Sequence, residues 1–175
     1  GSAWTRIGGD AVESGWANSS FETVTRMLYQ GSTLYVGLGT TAGDADLWSY
    51  TSGTWTQIGG DALNSGWAGS TYEAVYSLRG DGTNVYAGLG ATAGDNEVWS
   101  WNGSAWTKIG GDAINSGFTN THTIVSTLSY VGTTLYAGLT GSVSSEVWAY
   151  SGGVWTQVGG NYYKHSWGFF NLQIV

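Results

Sequence analysis

One nine-residue phrase recurs along this chain: "GGDAVESGW" at 8–16, "GGDALNSGW" at 59–67, "GGDAINSGF" at 110–118 and, eroded, "GGNYYKHSW" at 159–167. A Trp-Thr pair precedes each copy, at Trp4, Trp55, Trp106 and Trp155, spaced by 51, 51 and 49 residues. A unit of that size cannot bury its own apolar face, so neighbouring units must cover one another. The 175 residues therefore read as a single repeat domain, 1–175, with repeats starting near 4, 55, 106 and 155 and the last one truncated.

The second copy shows what each unit builds. In "YEAVYSL" (72–78) Tyr72, Ala74, Tyr76 and Leu78 alternate with Glu73, Val75 and Ser77, which is the period of a strand. The turn "RGDGTN" leads to a second strand, "VYAGLG" (85–90), whose small residues suit close packing. A longer loop, "ATAGDN", leads to "EVWSW" (97–101), and an Asn-Gly turn leads to "WTKIGG" (106–111). The expected unit is a four-stranded antiparallel meander. No segment carries helical apolar spacing for three turns, and β-branched and aromatic residues fill every apolar stretch. Eleven Trp, eleven Tyr and thirty Gly without a Pro fit many tight turns with large flat side chains buried between them.

Such meanders at a period near 50 resemble the blades of β-propellers, of the kelch-like and Trp-rich bacterial sort, on the words "VYAGLG", "EVWSW" and "WTKIGG". The resemblance covers the whole chain, although the double glycine closes the fourth strand here rather than the second. The run from an "IG" strand end through a glycine-and-tryptophan loop into an aromatic strand is also similar to tachylectin-type propeller lectins. The resemblance implies an all-β fold of propeller blades. Counted so, the chain opens on an outermost strand, "AWTRIGG", passes through three full meanders and closes on an innermost strand, "FFNLQIV". That makes fourteen strands, or three and a half blade-equivalents.

Three blades do not close a ring, so the two end faces call for cover. The expected cover is a further copy, two chains supplying about seven blade-equivalents, or else further blades of a longer array of which this chain is a segment. The expected function is that of a non-enzymatic, self-assembling scaffold, an engineered or excised propeller segment. The alternative is a multivalent carbohydrate-binding propeller. Its candidate ligand residues are Asp10, Trp16, Asp61, Asn64, Trp67, Asp112, Asn115 and Phe118, aromatics to stack on sugar faces and Asp or Asn to bridge hydroxyls. The competing reading of the same aromatics is structural, with Trp16, Trp67, Phe118 and Trp167 plugging the seams between units. Gly59 and Gly60 then free the backbone to turn, and Asp61 caps the turn's amides.

Other motifs carry less. Five Lys and Arg against twelve Asp and Glu, a net charge of −7, disfavour nucleic acid and acidic membrane surfaces as partners. No apolar run is long enough to span a membrane. "RGDG" at 79–82 reads as turn chemistry before it reads as an adhesion tripeptide. "GLGTTAG" (37–43) and "GLGATAG" (88–94) lead into strands, whereas a phosphate loop needs a helix N-terminus. Asp44, Asp46, Asp95, Glu97 and Glu146 read as solvated loop acids rather than a calcium site. His122 and His165 occupy unrelated repeat positions, and no nucleophile motif or converging carboxylate pair stands out, so neither metal, cofactor nor catalysis is expected. The sequons at Asn18 and Asn102 fall in Ser- and Asn-rich loops.

Overall fold

A computed structural model describes residues 3–9, 11–16, 23–39, 45–67, 73–91, 95–118, 122–141 and 144–160. Twelve strands are formed among them: β1 (Val24–Gln30), β2 (Thr33–Leu38), β3 (Leu47–Thr51), β4 (Thr54–Gly59), β5 (Ala74–Gly80), β6 (Val85–Gly90), β7 (Val98–Trp101), β8 (Trp106–Gly110), β9 (Ile124–Val131), β10 (Thr134–Thr140), β11 (Ser145–Ser151) and β12 (Val154–Gly160). Each group of four is an antiparallel meander whose strands pair in chain order. The fold is all-β, with one sheet strongly curled into a half-barrel. Among the described residues no helix is long and apolar enough to cross a membrane.

The turns follow from their residues. Asn102 Oδ1 accepts from the amides of Ser104 and Ala105 and from the Ser104 hydroxyl, while Gly103 takes φ 97°, so this sequon is a structural turn. In "RGDG", Asp81 Oδ1 accepts from the amides of Thr83 and Asn84, and Oδ2 accepts from Asn84 Nδ2 and from the Tyr86 hydroxyl at 2.7 Å. The turn itself engages this carboxylate. Burial alone would raise the Asp81 pKa, but the hydrogen bonds from Tyr86, Asn84 and Thr83 outweigh it and hold the group below its usual value. Burial and the neighbouring carboxylate push Tyr86 upward.

Strict alternation does not hold in the first strand of each meander. Val75 pairs with Leu89 and Ser77 with Gly88, leaving Tyr76 as an extra, bulged residue. Val75 and Ser77 are both buried as a result, while Tyr76 is only half-buried. The expected opening strand is not formed either: residues 3–9 carry no strand, and among the described residues none pairs with them to complete a ladder. The closing segment 166–175 lies outside the described residues, as do Asp10, Asp44, Tyr72, His165 and Trp167.

Neighbouring meanders touch along their inner strands through single residue pairs, Gly39 with Ala74 and Gly90 with Ile124. Thr25 Oγ1 donates to Val75 O at 2.7 Å and Ser77 Oγ to Val125 O at 2.9 Å across the same inner strands, and apolar side chains pack beside them. Leu47 and Ile58 of the first meander pack in one cluster with Val75, Val85, Ala87 and Leu89 of the second. Val98 and Ile109 of the second pack with Val125, Leu135, Ala137 and Leu139 of the third.

Candidate functional site

The recurring phrase is a clasp at these seams, and its parts follow from the fourth strand of each meander. There Leu47 pairs with Gly59 and Trp48 with Gln57, so Ile58 is a bulge residue. Ile109 is bulged in the same way opposite Val98 and Trp99, and Val158 opposite Val147 and Trp148. A bulge leaves its extra residue out of the ladder, and the released carbonyls are used. Ile58 O accepts Trp106 Nε1 at 2.7 Å and Asn64 Nδ2 at 3.0 Å. Ile109 O accepts Trp155 Nε1 at 2.7 Å and Asn115 Nδ2 at 2.9 Å. In the first copy Ile7 O accepts from Trp55 Nε1, and Glu13, standing where the Asn would be, takes the Tyr50 hydroxyl instead.

The loop completes the socket around each indole. Trp67 lies edge-on to Trp106 with ring centroids 4.9 Å apart, Phe118 to Trp155 at 5.3 Å, and Trp16 to Trp55 at 4.9 Å. The two glycines serve different ends. Gly60 takes φ 95°, which frees the turn. Gly59 makes room: a Cβ there would stand 2.7 Å from Trp67 Cη2. Short 3-10 turns at Leu63–Ser65 and Ile114–Ser116 place Asn64 at φ 53° and Asn115 at φ 55°, a conformation Asn tolerates better than most residues. Among the described residues nothing donates to the Asp61 carboxylate; Asp61 is exposed at φ 50° and does not cap the turn.

The candidate sugar residues are therefore placed as follows. Trp67 and Phe118 are each 1% exposed, Trp16 is half-buried, and the amides of Asn64 and Asn115 are held by main-chain carbonyls. Asp61 and Asp112 are exposed, Asp112 accepting from Lys108 Nζ at 2.9 Å. Asp10 is outside the described residues.

Contrary to the expectation of solvated loop acids, Glu97 and Glu146 are buried, because each accepts an indole N–H within the protein. Glu97 Oε2 accepts Trp99 Nε1 and Glu146 Oε2 accepts Trp148 Nε1, each at 2.8 Å. Asp46, at the matching position, is a methylene shorter, and Trp48 Nε1 has no hydrogen-bond partner. Glu97 also meets Lys108 Nζ at 2.5 Å. Burial would lower the lysine's pKa, but Glu97 and Asp112 raise it further. His122 is buried with Nε2 3.1 Å from Ser144 Oγ and 3.7 Å from Glu146 Oε2, a contact the sequence did not signal.

Matching positions differ most in what covers them. Val24 is 45% exposed, but its counterparts Val75 and Val125 are fully buried; Met27 is 68% exposed and its counterpart Leu128 only 7%. At the other end Val147 is 42% and Val158 44% exposed, where Leu47, Val98, Ile58 and Ile109 are all buried. Among the described residues, the outer sides of the first and third meanders are thus apolar and open. No protein-family model matches the chain, and no curated protein matches it.

Proposed function

We propose that each meander is a propeller blade and that the chain is a non-enzymatic scaffold whose activity is to assemble with further copies of itself. One observation carries this reading: positions buried at both internal seams are exposed at the two ends of the stack. Apolar surface of that kind marks an interaction site, and burial is favoured by about 25 cal/mol per Å². The burial of Trp67 and Phe118 puts self-association ahead of carbohydrate binding, because a stacked sugar needs an open ring face. Light scattering at micromolar concentration tests the reading. The expected mass is a multiple of the 18.4 kDa chain; a mass of one chain at every concentration ends it.

A further inference from the structure

We propose that the open face of the first meander is the docking site for the open face of the third meander of a second copy, and that residues 3–9 hold the partner's place until it arrives. This rests on the self-association reading and adds to it which faces meet, in what orientation and against what competitor.

The internal seams give the pattern. At each, the bulged carbonyl of one meander receives the indole of the next: Ile58 from Trp106, Ile109 from Trp155. Two members of the series have no such neighbour among the described meanders. Val158 is the third bulge residue, and Trp55 is the indole of the first described meander. Trp55 instead donates to Ile7 O, a carbonyl of a segment without a ladder. Ile7 is the repeat counterpart of Ile58 and Val158, so the segment imitates the outermost strand of a preceding meander. It imitates little else. Beside it a groove of about 250 Å³ stays open, lined by Ile7, Trp16, Val24, Met27, Leu34 and Val36. At the internal seams the corresponding ground is filled by Leu47 and Ile58, or Val98 and Ile109. Val147 and Val158 are the same two positions on the third meander, and they are exposed.

A single indole N–H serves one carbonyl well. Docking of Val158 on Trp55 therefore displaces Ile7, and the apparent affinity is reduced to the fraction of chains in which the face is free. The contact joins two different faces, so it is head-to-tail and builds rings or filaments rather than a two-fold dimer. One position makes this seam looser than the internal ones. Thr140 stands where Gly39 and Gly90 bridge to the next meander, and a Cβ on those glycines would lie 2.4 Å from Ala74 Cα and 2.5 Å from Ile124 Cα. The innermost bridge between copies does not form, and the outer strands hold the contact.

Head-to-tail docking can be tested by complementation, because a chain altered on one face keeps the other. Full-length Val24→Asp chains keep the third-meander face and Val158→Asp chains keep the first-meander face, so a mixture of the two is expected to form dimers of one of each and nothing larger. Val158→Asp is expected to reduce the assembly to single chains, with circular dichroism confirming that it folds. Ile7→Gly, which loosens the placeholder, is expected to tighten association about tenfold, and Thr140→Gly to tighten it too. An assembly that survives both Val24→Asp and Val158→Asp associates through another surface; the self-association reading then stands and this one falls. Weaker association in Ile7→Gly would make residues 3–9 part of the interface and overturn the placeholder. A wild-type chain that is monomeric throughout removes both.

Discussion

The seam between the second and third meanders and the open side of the first carry the same kinds of residue in the same register. Val125 and Val24 pair with Leu139 and Leu38, and Leu128 and Met27 with Ala137 and Val36. The seam is closed because Tyr86, Val98 and Ile109 of another meander lie against it. Among the described residues the open side has beside it only Arg6, Ile7, Gly8 and Trp16 of the segment before the first meander. Burial here is a property of a residue's neighbours and not of its place in the repeat, so a repeat of this sort is stable only as part of a stack.

That comparison breaks most sharply at the indoles. Trp106→Ala should lower stability by about 3–5 kcal/mol, the usual cost of emptying a large buried aromatic site. Trp4→Ala, at the matching position but fully exposed, should stay within about 0.5 kcal/mol. Thermal melting of the two variants decides; equal losses would mean that the clasp does not distinguish the two ends. The glycines give the next test. Gly59→Ala drives a methyl to 2.7 Å from Trp67 and should cost about 1–3 kcal/mol as an overpacked core does. Gly159→Ala meets only Val147, at 3.5 Å among the described residues, and should melt close to wild type.

A smaller effect, of opposite sign, is expected inside the second meander. Both amide atoms of Asn96 are buried with no hydrogen bond among the described residues, at the position Ala45 fills in the first. Asn96→Ala should raise stability by about 1 kcal/mol, since an unpaired buried polar group costs its desolvation; denaturant titration with a lowered midpoint would refute this. The smallest effect is the pH response of the Asp81 turn, which the other two meanders lack. Its carboxyl is held below the ordinary value, so the folded state favours the ionised form. That contribution is fully present above the ordinary carboxylate pKa and disappears as the pH falls through the lowered one. Melting temperature followed from about pH 5 to pH 2 should fall less steeply in Asp81→Asn than in wild type.

Much of the meander was legible because it is local. The strand at 85–90 and the Asn-Gly turn at 102–103 depend on alternation and on residues that take positive φ cheaply, and both stand where the sequence puts them. The bulges were not legible. Tyr76 fits the alternating pattern as well as any residue, and only pairing with β6 shows that Val75 and Ser77 share the buried side. Asp61 was misjudged for a similar reason: an Asp after two glycines suits a cap, yet the turn closes by main-chain bonds, Leu63 N to Gly60 O and Gly66 N to Leu63 O, both at 2.8 Å.

Repetition of the glycine-aspartate-tryptophan phrase was enough, by itself, to establish the unit, its strand order and the need for stacking, since a unit near 50 residues has more apolar surface than it can fold away. The tertiary structure decided which member of each repeat does what. It set the bulge that releases Ile58 and Ile109 carbonyls, the indole that each receives from the next meander, and the burial of Trp67 and Phe118 beneath them. Those outcomes depend on contacts between residues nearly fifty positions apart. No local pattern encodes them, because the same words that are buried at an internal seam lie open at the end of the stack.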